Sequence, residues 1–165
     1  MNVVKNGEEE RNKVDKESFS YRIAPVPEKE IAAAATLLYQ RLEEINNAVQ
    51  KPLYPATEAE TIALLSEISI LLGAYCDGEL IGVVAIEEDA VERIAVDKEW
   101  IRLGIGTALM QAAEANGASY IDLYRENKGA VQFIEALGYG IYDITEPEAG
   151  DLLAKDPAPL LHFKK

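Results

Sequence analysis

The most restrictive feature of the sequence is a pair of glycines, Gly104 and Gly106, between a strand-like run and a helix-like run. Residues 91–97 (VERIAVD) have the composition and length of a strand, and residues 106–116 carry apolar side chains at helical spacing. Glycine lets the backbone bend sharply and lets an anion approach the free N–H groups at a helix start. The spacing predicts either a phosphate-binding turn or a tight turn that only allows the helix to pack on the sheet.

Two common nucleotide-binding motifs do not fit this turn. No Gly-Lys-Ser/Thr sequence follows the glycines, which excludes a Walker A loop. The third glycine of the dinucleotide fingerprint is missing, and the turn follows the middle strands rather than the first βα unit. If the turn binds a polyanion, its donors are backbone N–H groups, which a protein with a net charge of −13 can still offer.

Charge and composition exclude several function classes. A net charge of −13 argues against a nucleic-acid partner, whose phosphates require a basic face, but is compatible with cationic partners such as amines. The sequence has one cysteine and one histidine, Cys76 and His162, so neither a disulfide framework nor a metal centre is expected. We interpret Cys76 as a core residue and His162 as structural.

Hydropathy predicts a protein of the cytoplasm. The first residues, MNVVKNGEEERNK, lack the apolar segment of a secretory signal, and no apolar run approaches the roughly 20 residues that span a bilayer. We therefore expect no membrane partner. Residues 1–18 are polar and charged and are predicted to be a tail outside the fold, and residues 19–165 are predicted to form a single domain.

The order of predicted elements is a strand, two helices, three strands, a helix, a strand, a helix and two strands. Thr57 and Glu60 form a capping-box pattern that starts the second helix, and Asn46 and Asn47 are expected to end the first. Asp77-Gly78 is a strong hairpin signal between the second and third strands. This order predicts an α/β domain with a mixed sheet.

Three segments in this order resemble the GCN5-related N-acetyltransferase (GNAT) family. VERIAVDKEWIRLGIGTALMQAAE is similar to the family's acyl-CoA motif, a strand, a turn of the type Q/R-x-x-G-x-G/A and a helix. LYRENKGAVQFIEALGYG is similar to the next family signature, with Asn127, Ala130, Gly138 and Tyr139 at the matching positions. The hairpin AYCDGELIGVVAI matches the family's second and third strands. The resemblance implies a GNAT-like acyl-CoA N-acyltransferase fold, with six to seven strands flanked by about four helices.

The resemblance also implies a function and a set of binding residues. Members transfer an acyl group, usually acetyl, from acetyl-CoA to an amine, and often form homodimers through their last strands. The family's pyrophosphate site maps onto the turn formed by Arg102, Leu103, Gly104, Ile105, Gly106 and Thr107. Its pantetheine arm pairs with a strand that maps onto Ile94, Ala95 and Val96. The asparagine of the second signature maps onto Asn127.

Two positions depart from the family pattern. The Q/R position is Ile101, and the neighbouring Arg102 is either a substitute phosphate partner or a solvated surface charge. The position where many members carry a tyrosine that protonates the leaving thiolate is Ile134, which cannot donate a proton. The sequence therefore supports two functions: an active N-acetyltransferase, or a CoA-binding sensor or interaction module with little or no turnover. A plain scaffold domain is a third, weaker reading.

The chemistry requires a base for the amine more than an acid for the thiol. A protonated amine must lose a proton before it attacks, whereas a thiol of pKa about 8.5 leaves readily. Glu92 is the candidate base, since strand alternation would put it on one face with Ile94 and Val96. The alternative is a surface carboxylate paired with Arg93 or Lys98.

Tyrosines are the remaining candidates for a proton donor. Tyr139 and Tyr124 could donate to the thiolate, or could be packed aromatic residues. The acceptor is expected between the first two helices and the central strands, where the loop of residues 47–55 with Tyr54 would select it. The acidic composition favours a cationic amine, such as a polyamine, an aminoglycoside or a peptide N-terminus.

Overall fold

A seven-stranded mixed sheet organises the part of the chain that the computed structural model describes, residues 19–50, 53–54, 57–147 and 158–165. The predicted tail, residues 1–18, lies outside the described residues. The strand order is β1-β2-β3-β4-β5-β7-β6, and every neighbouring pair is antiparallel except β4 and β5. The strands are β1 Arg22–Pro25, β2 Ile70–Cys76, β3 Glu79–Glu87, β4 Ala90–Val96, β5 Tyr120–Tyr124, β6 Gly140–Thr145 and β7 Leu160–Lys164.

Helices cover both faces of this sheet. The described α-helices are α1 Ile31–Val49, α2 Glu58–Glu67, α3 Ile105–Ala115 and α4 Lys128–Ala136, with short 3-10 turns at Glu28–Glu30 and Lys98–Trp100. Apolar residues of α1 and α2 form one buried cluster, and those of α3 and α4 form a second on the opposite face. In β3, Val83 and Ala85 face the first cluster, whereas Val84 and Ile86 face the second. The nearly continuous apolar sequence of β3 follows from burial on both faces.

The predicted fold class is confirmed, and most local signals act as expected. Asp77 and Gly78 both have positive φ, 50° and 79°, as a two-residue type I′ hairpin turn requires. The Thr57 hydroxyl accepts a hydrogen bond of 3.2 Å from the Glu60 backbone N–H and caps α2. Gly117 and Gly138, both with φ of +94°, follow the ends of α3 and α4.

The predicted end of the first helix was wrong by a few residues. Helix α1 continues through Asn46 and Asn47 to Val49, and Gln50 then adopts a left-handed conformation with φ of 57°. The Asn46 side chain does not terminate the helix, because it hydrogen-bonds the backbone of Tyr54 in the following loop. Asn46 therefore makes a tertiary contact instead of marking the helix end.

A β-bulge interrupts β4 and corrects the expected orientation of Glu92. In the β3–β4 register Ala85 pairs with Arg93 and Ile86 pairs with Val91, so Glu92 has no partner across the pair. One extra residue breaks the alternation of side chains. Glu92 is exposed, while Val91 and Ile94, three residues apart, face the same core cluster. Glu92 does not share a face with Ile94 and Val96 through simple alternation.

The Thr57 cap makes the stability of α2 testable. We expect Thr57→Ala to lower the free energy of unfolding by about 1 kcal/mol, because the Glu60 N–H loses its acceptor. This corresponds to a fall in melting temperature of about 2–4 °C, measured by circular dichroism. Thr57→Ser keeps the hydroxyl and should melt close to the wild type. Equal melting temperatures for Thr57→Ala and the wild type would contradict the cap.

Candidate active site

The sheet splits between its two parallel strands. Strands β4 and β5 contain seven and five residues, yet they pair at only two positions, Ala90 with Tyr120 and Val91 with Ile121. Beyond Val91, the edge of β4 that faces β5 has no strand partner among the described residues. An unpaired edge presents backbone N–H and C=O groups that an extended ligand can use. Residues 94–96, predicted to bind the pantetheine arm, lie on this edge.

The two glycines of the turn have different structural roles. Gly104 is the N-cap of α3 with φ of +87°, and a Cβ there would meet open space. No side chain caps the first N–H groups of the helix, so these donors remain available. A Cβ on Gly106 would lie 3.2 Å from Cζ of Phe133 on α4. Gly104 therefore forms the open turn, and Gly106 allows α3 and α4 to pack.

The side chains around this turn point to backbone rather than side-chain recognition. Leu103 is half-buried against the core and Ile105 is 1 % exposed, so they can offer only backbone groups to a ligand. Thr107 is half-buried in the first turn of α3. Arg102 is exposed, and Ile101, at the family's Q/R position, is 43 % exposed. Ile101 is therefore not packed in the core beneath the start of α3.

Asn127 and Tyr54 meet near the open end of the split. Asn127 is the N-cap of α4, and its Nδ2 donates a hydrogen bond of 3.0 Å to the Tyr54 hydroxyl oxygen. The Tyr54 ring packs edge-on against Tyr124 at 5.5 Å, and the Arg93 guanidinium lies 5.5 Å from the Tyr54 ring centroid. Burial raises the pKa of Tyr54, and the Asn127 hydrogen bond and the Arg93 charge partly oppose this rise. Tyr54 is therefore protonated at neutral pH.

A cavity of about 630 Å³ opens beside this contact. Its wall includes three acidic residues, Asp89, Glu92 and Asp122, and a single arginine, Arg93. Four of the eight other lining residues are tyrosines: Tyr54, Tyr120, Tyr124 and Tyr142. Carboxylates and aromatic faces both attract cations, so the lining suits a positively charged ligand.

Two carboxylates near the β3–β4 turn, Glu87 and Glu92, differ in what they contact. The Glu87 carboxylate accepts hydrogen bonds from the Ser69 hydroxyl and backbone N–H at 2.6 and 2.9 Å, which lower its pKa. Glu87 is thus occupied in holding β2 and β3 together. The Glu92 side chain lines the cavity, and Arg93 donates to the Glu92 carbonyl oxygen at 2.7 Å rather than to its carboxylate. The expected surface pair with Arg93 is therefore not formed.

Tyr139 does not join the other predicted residues. Its hydroxyl donates a hydrogen bond of 2.9 Å to Glu114, which also accepts one of 2.8 Å from Lys165. Glu114 lies nine residues beyond Ile105, at the far end of α3, about 14 Å from the glycine turn by helical rise. Burial and the Glu114 contact strongly raise the pKa of Tyr139. Tyr139 is buried and ties the chain end to α3, which corrects its expected catalytic role.

His162 has a structural arrangement in the described residues. Its Nδ1 lies 2.7 Å from the Asp122 carboxylate on β5, and its Nε2 lies 2.6 Å from the Thr145 hydroxyl on β6. The ring therefore links three neighbouring strands on one face of the sheet. The Asn127–Tyr54 contact was missed by the sequence analysis, because it joins residues 73 positions apart and no local pattern encodes it.

The seven-stranded mixed sheet and the four described helices match the fold of solved N-acetyltransferase structures. A family model described as an acetyltransferase (GNAT) domain matches residues 67–141, from the end of α2 into β6. Residues 67–141 thus carry a GNAT domain, which confirms the resemblance that the motifs predicted. A search of curated proteins finds no significant match.

Solved structures share this fold at low sequence identity. YjaB from Escherichia coli, in its apo form, is 18 % identical with a TM-score of 0.68, over 88 % of this chain and 97 % of that one. The ribosomal-protein-S18-alanine N-acetyltransferase from Escherichia coli is 17 % identical with a TM-score of 0.62, over 87 % and 92 %. PaiA N-acetyltransferase from Thermoplasma acidophilum, solved with coenzyme A, is 16 % identical with a TM-score of 0.60, over 88 % and 99 %.

Within the described ranges, no helix is both long and apolar enough to cross a membrane.

The contact between Tyr139 and Glu114 provides a test of the structural role. We expect Tyr139→Phe to lower the free energy of unfolding at pH 7 by about 1 kcal/mol, the usual net contribution of one hydrogen bond. The Lys165 and Tyr139 hydrogen bonds lower the pKa of Glu114 below its ordinary value of 4.5. A depressed carboxyl pKa contributes stability above the ordinary pKa, which is lost as the pH falls through the lowered value.

The difference in unfolding free energy between Tyr139→Phe and the wild type should therefore shrink as the pH falls below about 4, in denaturant titrations at several pH values. The affinity for acetyl-CoA should be unchanged, because Tyr139 lies at the far end of α3 from the glycine turn. A large loss of acetyl-CoA affinity in this variant would restore Tyr139 to the site.

Proposed function

We propose that this chain is an N-acetyltransferase that moves an acetyl group from acetyl-CoA to a primary amine. The observation that carries the proposal is the split between β4 and β5, which opens beside the uncapped start of α3. An extended, polyanionic ligand needs both an unpaired strand edge and an anion site at its end. The match of residues 67–141 to a GNAT acetyltransferase domain supports the same activity.

The residues around the split fit coenzyme A without a basic surface. The first N–H groups of α3, from Ile105 to Thr107, and the exposed Arg102 side chain would hold the pyrophosphate. The free edge at residues 94–96 would pair with the pantetheine arm, and the Asn127 amide would contact it near the thioester end. When bound, the coenzyme supplies an acetyl group already activated as a thioester.

The acidic cavity is the proposed acceptor site, and its lining favours a cationic amine. The carboxylates of Asp89 and Asp122 would attract a protonated amine, and the neighbouring tyrosines would pack on its chain. Glu92 would then take a proton from the ammonium group, leaving the nitrogen lone pair free to attack. Polyamines, aminoglycosides and peptide N-termini all meet this description. The buried thiol of Cys76 fits the reducing cytoplasm, which remains the proposed location.

One observation favours a second candidate, a CoA-binding sensor or interaction module without turnover. Ile134, at the family's proton-donor position, is 1 % exposed and forms part of the core. If no other group assists the leaving thiol, binding could persist while turnover is lost. Release of free thiol from acetyl-CoA, measured with a panel of amines, separates the two functions.

The glycine turn is tested by calorimetric titration of acetyl-CoA. We expect micromolar binding by the wild type, and at least a tenfold loss in Gly104→Asp because a carboxylate would repel the pyrophosphate. Gly117→Asp is the matched control, since Gly117 also has a positive φ and open space but lies at the other end of α3. Gly106 is left unchanged because its substitution would displace Phe133. Equal loss in both variants would point to backbone strain, and absence of wild-type binding would overturn the proposed function.

The role of Glu92 is tested by thiol release with spermidine, an aminoglycoside and a tripeptide with a free N-terminus. We expect Glu92→Gln to lower kcat at least about 100-fold at neutral pH with little change in acetyl-CoA affinity, as for loss of a general base. Glu88→Gln is the control, because Glu88 is exposed in the β3–β4 turn, outside the cavity wall. Turnover of only neutral or acidic amines would contradict the cationic acceptor class.

A further inference from the structure

Because position 134 is an isoleucine, the departing thiol of coenzyme A lacks the tyrosine hydroxyl that many family members have there. Ile134 is almost fully buried between α4 and the sheet. Turning α4 to present a polar side chain at this position would disrupt the close packing of the core. Tyr139 cannot replace it, because its hydroxyl binds Glu114 at the far end of α3. A proton donor for the thiol must therefore come from another element that reaches the split.

The loop after α1 supplies a tyrosine that reaches the split. The Asn46 side chain fixes the loop by two hydrogen bonds to the Tyr54 backbone, from Nδ2 to the carbonyl oxygen at 3.2 Å and from the backbone N–H to Oδ1 at 3.1 Å. The Tyr54 ring is held between Arg93 on β4 and Tyr124 on β5. The Tyr54 side chain thus contacts both of the strands that separate. Its contacts with Arg93, Tyr124 and Asn127 fix its position.

The hydrogen bond to Asn127 also sets the direction of the hydroxyl proton. An amide Nδ2 can only donate, so the Tyr54 oxygen is the acceptor in the 3.0 Å contact. The phenolic O–H is therefore not used in this bond and remains available to a ligand. Asn127 is also the residue that the family's second signature places at the coenzyme, so the free proton lies beside the predicted path of the pantetheine arm.

We propose that Tyr54 donates a hydrogen bond, and then its proton, to the sulfur atom of coenzyme A as the acetyl group leaves. This inference rests on the proposed function. As the amine nitrogen bonds to the carbonyl carbon, the C–S bond breaks and its electron pair stays on sulfur. Tyr54 gives its proton to that sulfur and regains one from solvent through the open cavity. The ammonium loses two protons to solvent through Glu92, one before the attack and one as the amide forms, so one proton is released in each cycle. Charge and protons then balance over one cycle.

The environment of Tyr54 matches the needs of a donor. Burial keeps its pKa above the ordinary value of 10.0, so the phenol carries its proton at neutral pH. The Arg93 charge and the Asn127 amide would both stabilise the phenolate formed on donation. Tyr124 is a less suitable donor, because its ring packs edge-on against Tyr54 and no hydrogen bond orients its hydroxyl among the described residues.

The test compares wild type and Tyr54→Phe, which keeps the ring contacts with Tyr124 and Arg93 and removes only the hydroxyl. By calorimetry, we expect the dissociation constant of free coenzyme A to rise about three- to tenfold, the effect of one hydrogen bond, and that of acetyl-CoA to stay within twofold. With an accepted amine, kcat should fall about 10- to 100-fold, with KM for acetyl-CoA unchanged. This loss is modest for acid catalysis because a thiol leaves readily.

Tyr139→Phe is the control for tyrosine removal and should leave kcat and both dissociation constants unchanged. Asn46→Ala tests the position of Tyr54: it should reduce kcat in the same direction as Tyr54→Phe, and the double variant should be no slower than Tyr54→Phe alone. Melting temperatures of all variants identify any loss of folding.

Four outcomes are distinguishable. The expected split in binding and kcat supports the proposal. An active wild type and an equally active Tyr54→Phe overturn the role of Tyr54 and leave the proposed function standing. If the wild type binds acetyl-CoA but turns over no amine, the test is the ratio of the dissociation constants of coenzyme A and acetyl-CoA. A ratio that is the same in Tyr54→Phe and the wild type overturns the proposal. Binding of neither compound overturns both the proposal and the proposed function.

Discussion

The extra residue at Glu92 is the constraint on which the site depends. A bulge bends its strand and increases the local twist, and here it falls just after Val91, the last residue of β4 that pairs with β5. Beyond that point the two parallel strands separate, and the backbone edge of β4 loses its partner. The bulge also turns the Glu92 side chain out of the core and into the cavity. One backbone irregularity thus lies where the opening begins and leaves an acidic side chain exposed beside it.

The opening also bears on how a strongly acidic chain could bind a polyanionic ligand. A chain with a net charge of −13 repels a polyanion at long range, and its carboxylates line the cavity rather than the glycine turn. Backbone N–H groups at the start of α3 carry partial positive charge without adding a basic side chain. The proposed sites for an anionic cosubstrate and a cationic acceptor are therefore compatible with one acidic surface, because the proposed anion site is local and formed by the backbone.

The sequence predicted what local patterns determine. The Asp77-Gly78 turn, the Thr57 cap and the glycine turn each depend on neighbouring residues, and each appears in the structure where expected. The motif order was sufficient to predict the fold class and the GNAT domain of residues 67–141. The two meanings of the glycine pair, anion site or packing, were left open because both fit the same letters. In the structure Gly106 faces Phe133 and Gly104 faces open space, so packing accounts for the second glycine but not for the first.

Tertiary placement could not be read from the same patterns. Alternation predicted the orientation of Glu92 incorrectly, because a bulge has no clear sequence signal in VERIAV. Tyr139 matched the end of a family signature, but its hydroxyl turns to Glu114 across the second core cluster. Asn46 looked like a helix end because its bonds to Tyr54 depend on how the following loop folds back. Each error concerns where a side chain points after the elements have packed.

Ile134 departs from the family pattern, but the loop after α1 changes how this departure is interpreted. On the helix alone, an apolar residue at that position suggests a site that has lost function. In the folded chain, the position belongs to a close-packed core where an isoleucine contributes burial energy, and a phenolic hydroxyl reaches the same split from Tyr54. A reaction that asks only for one proton near one sulfur atom does not specify which element delivers it.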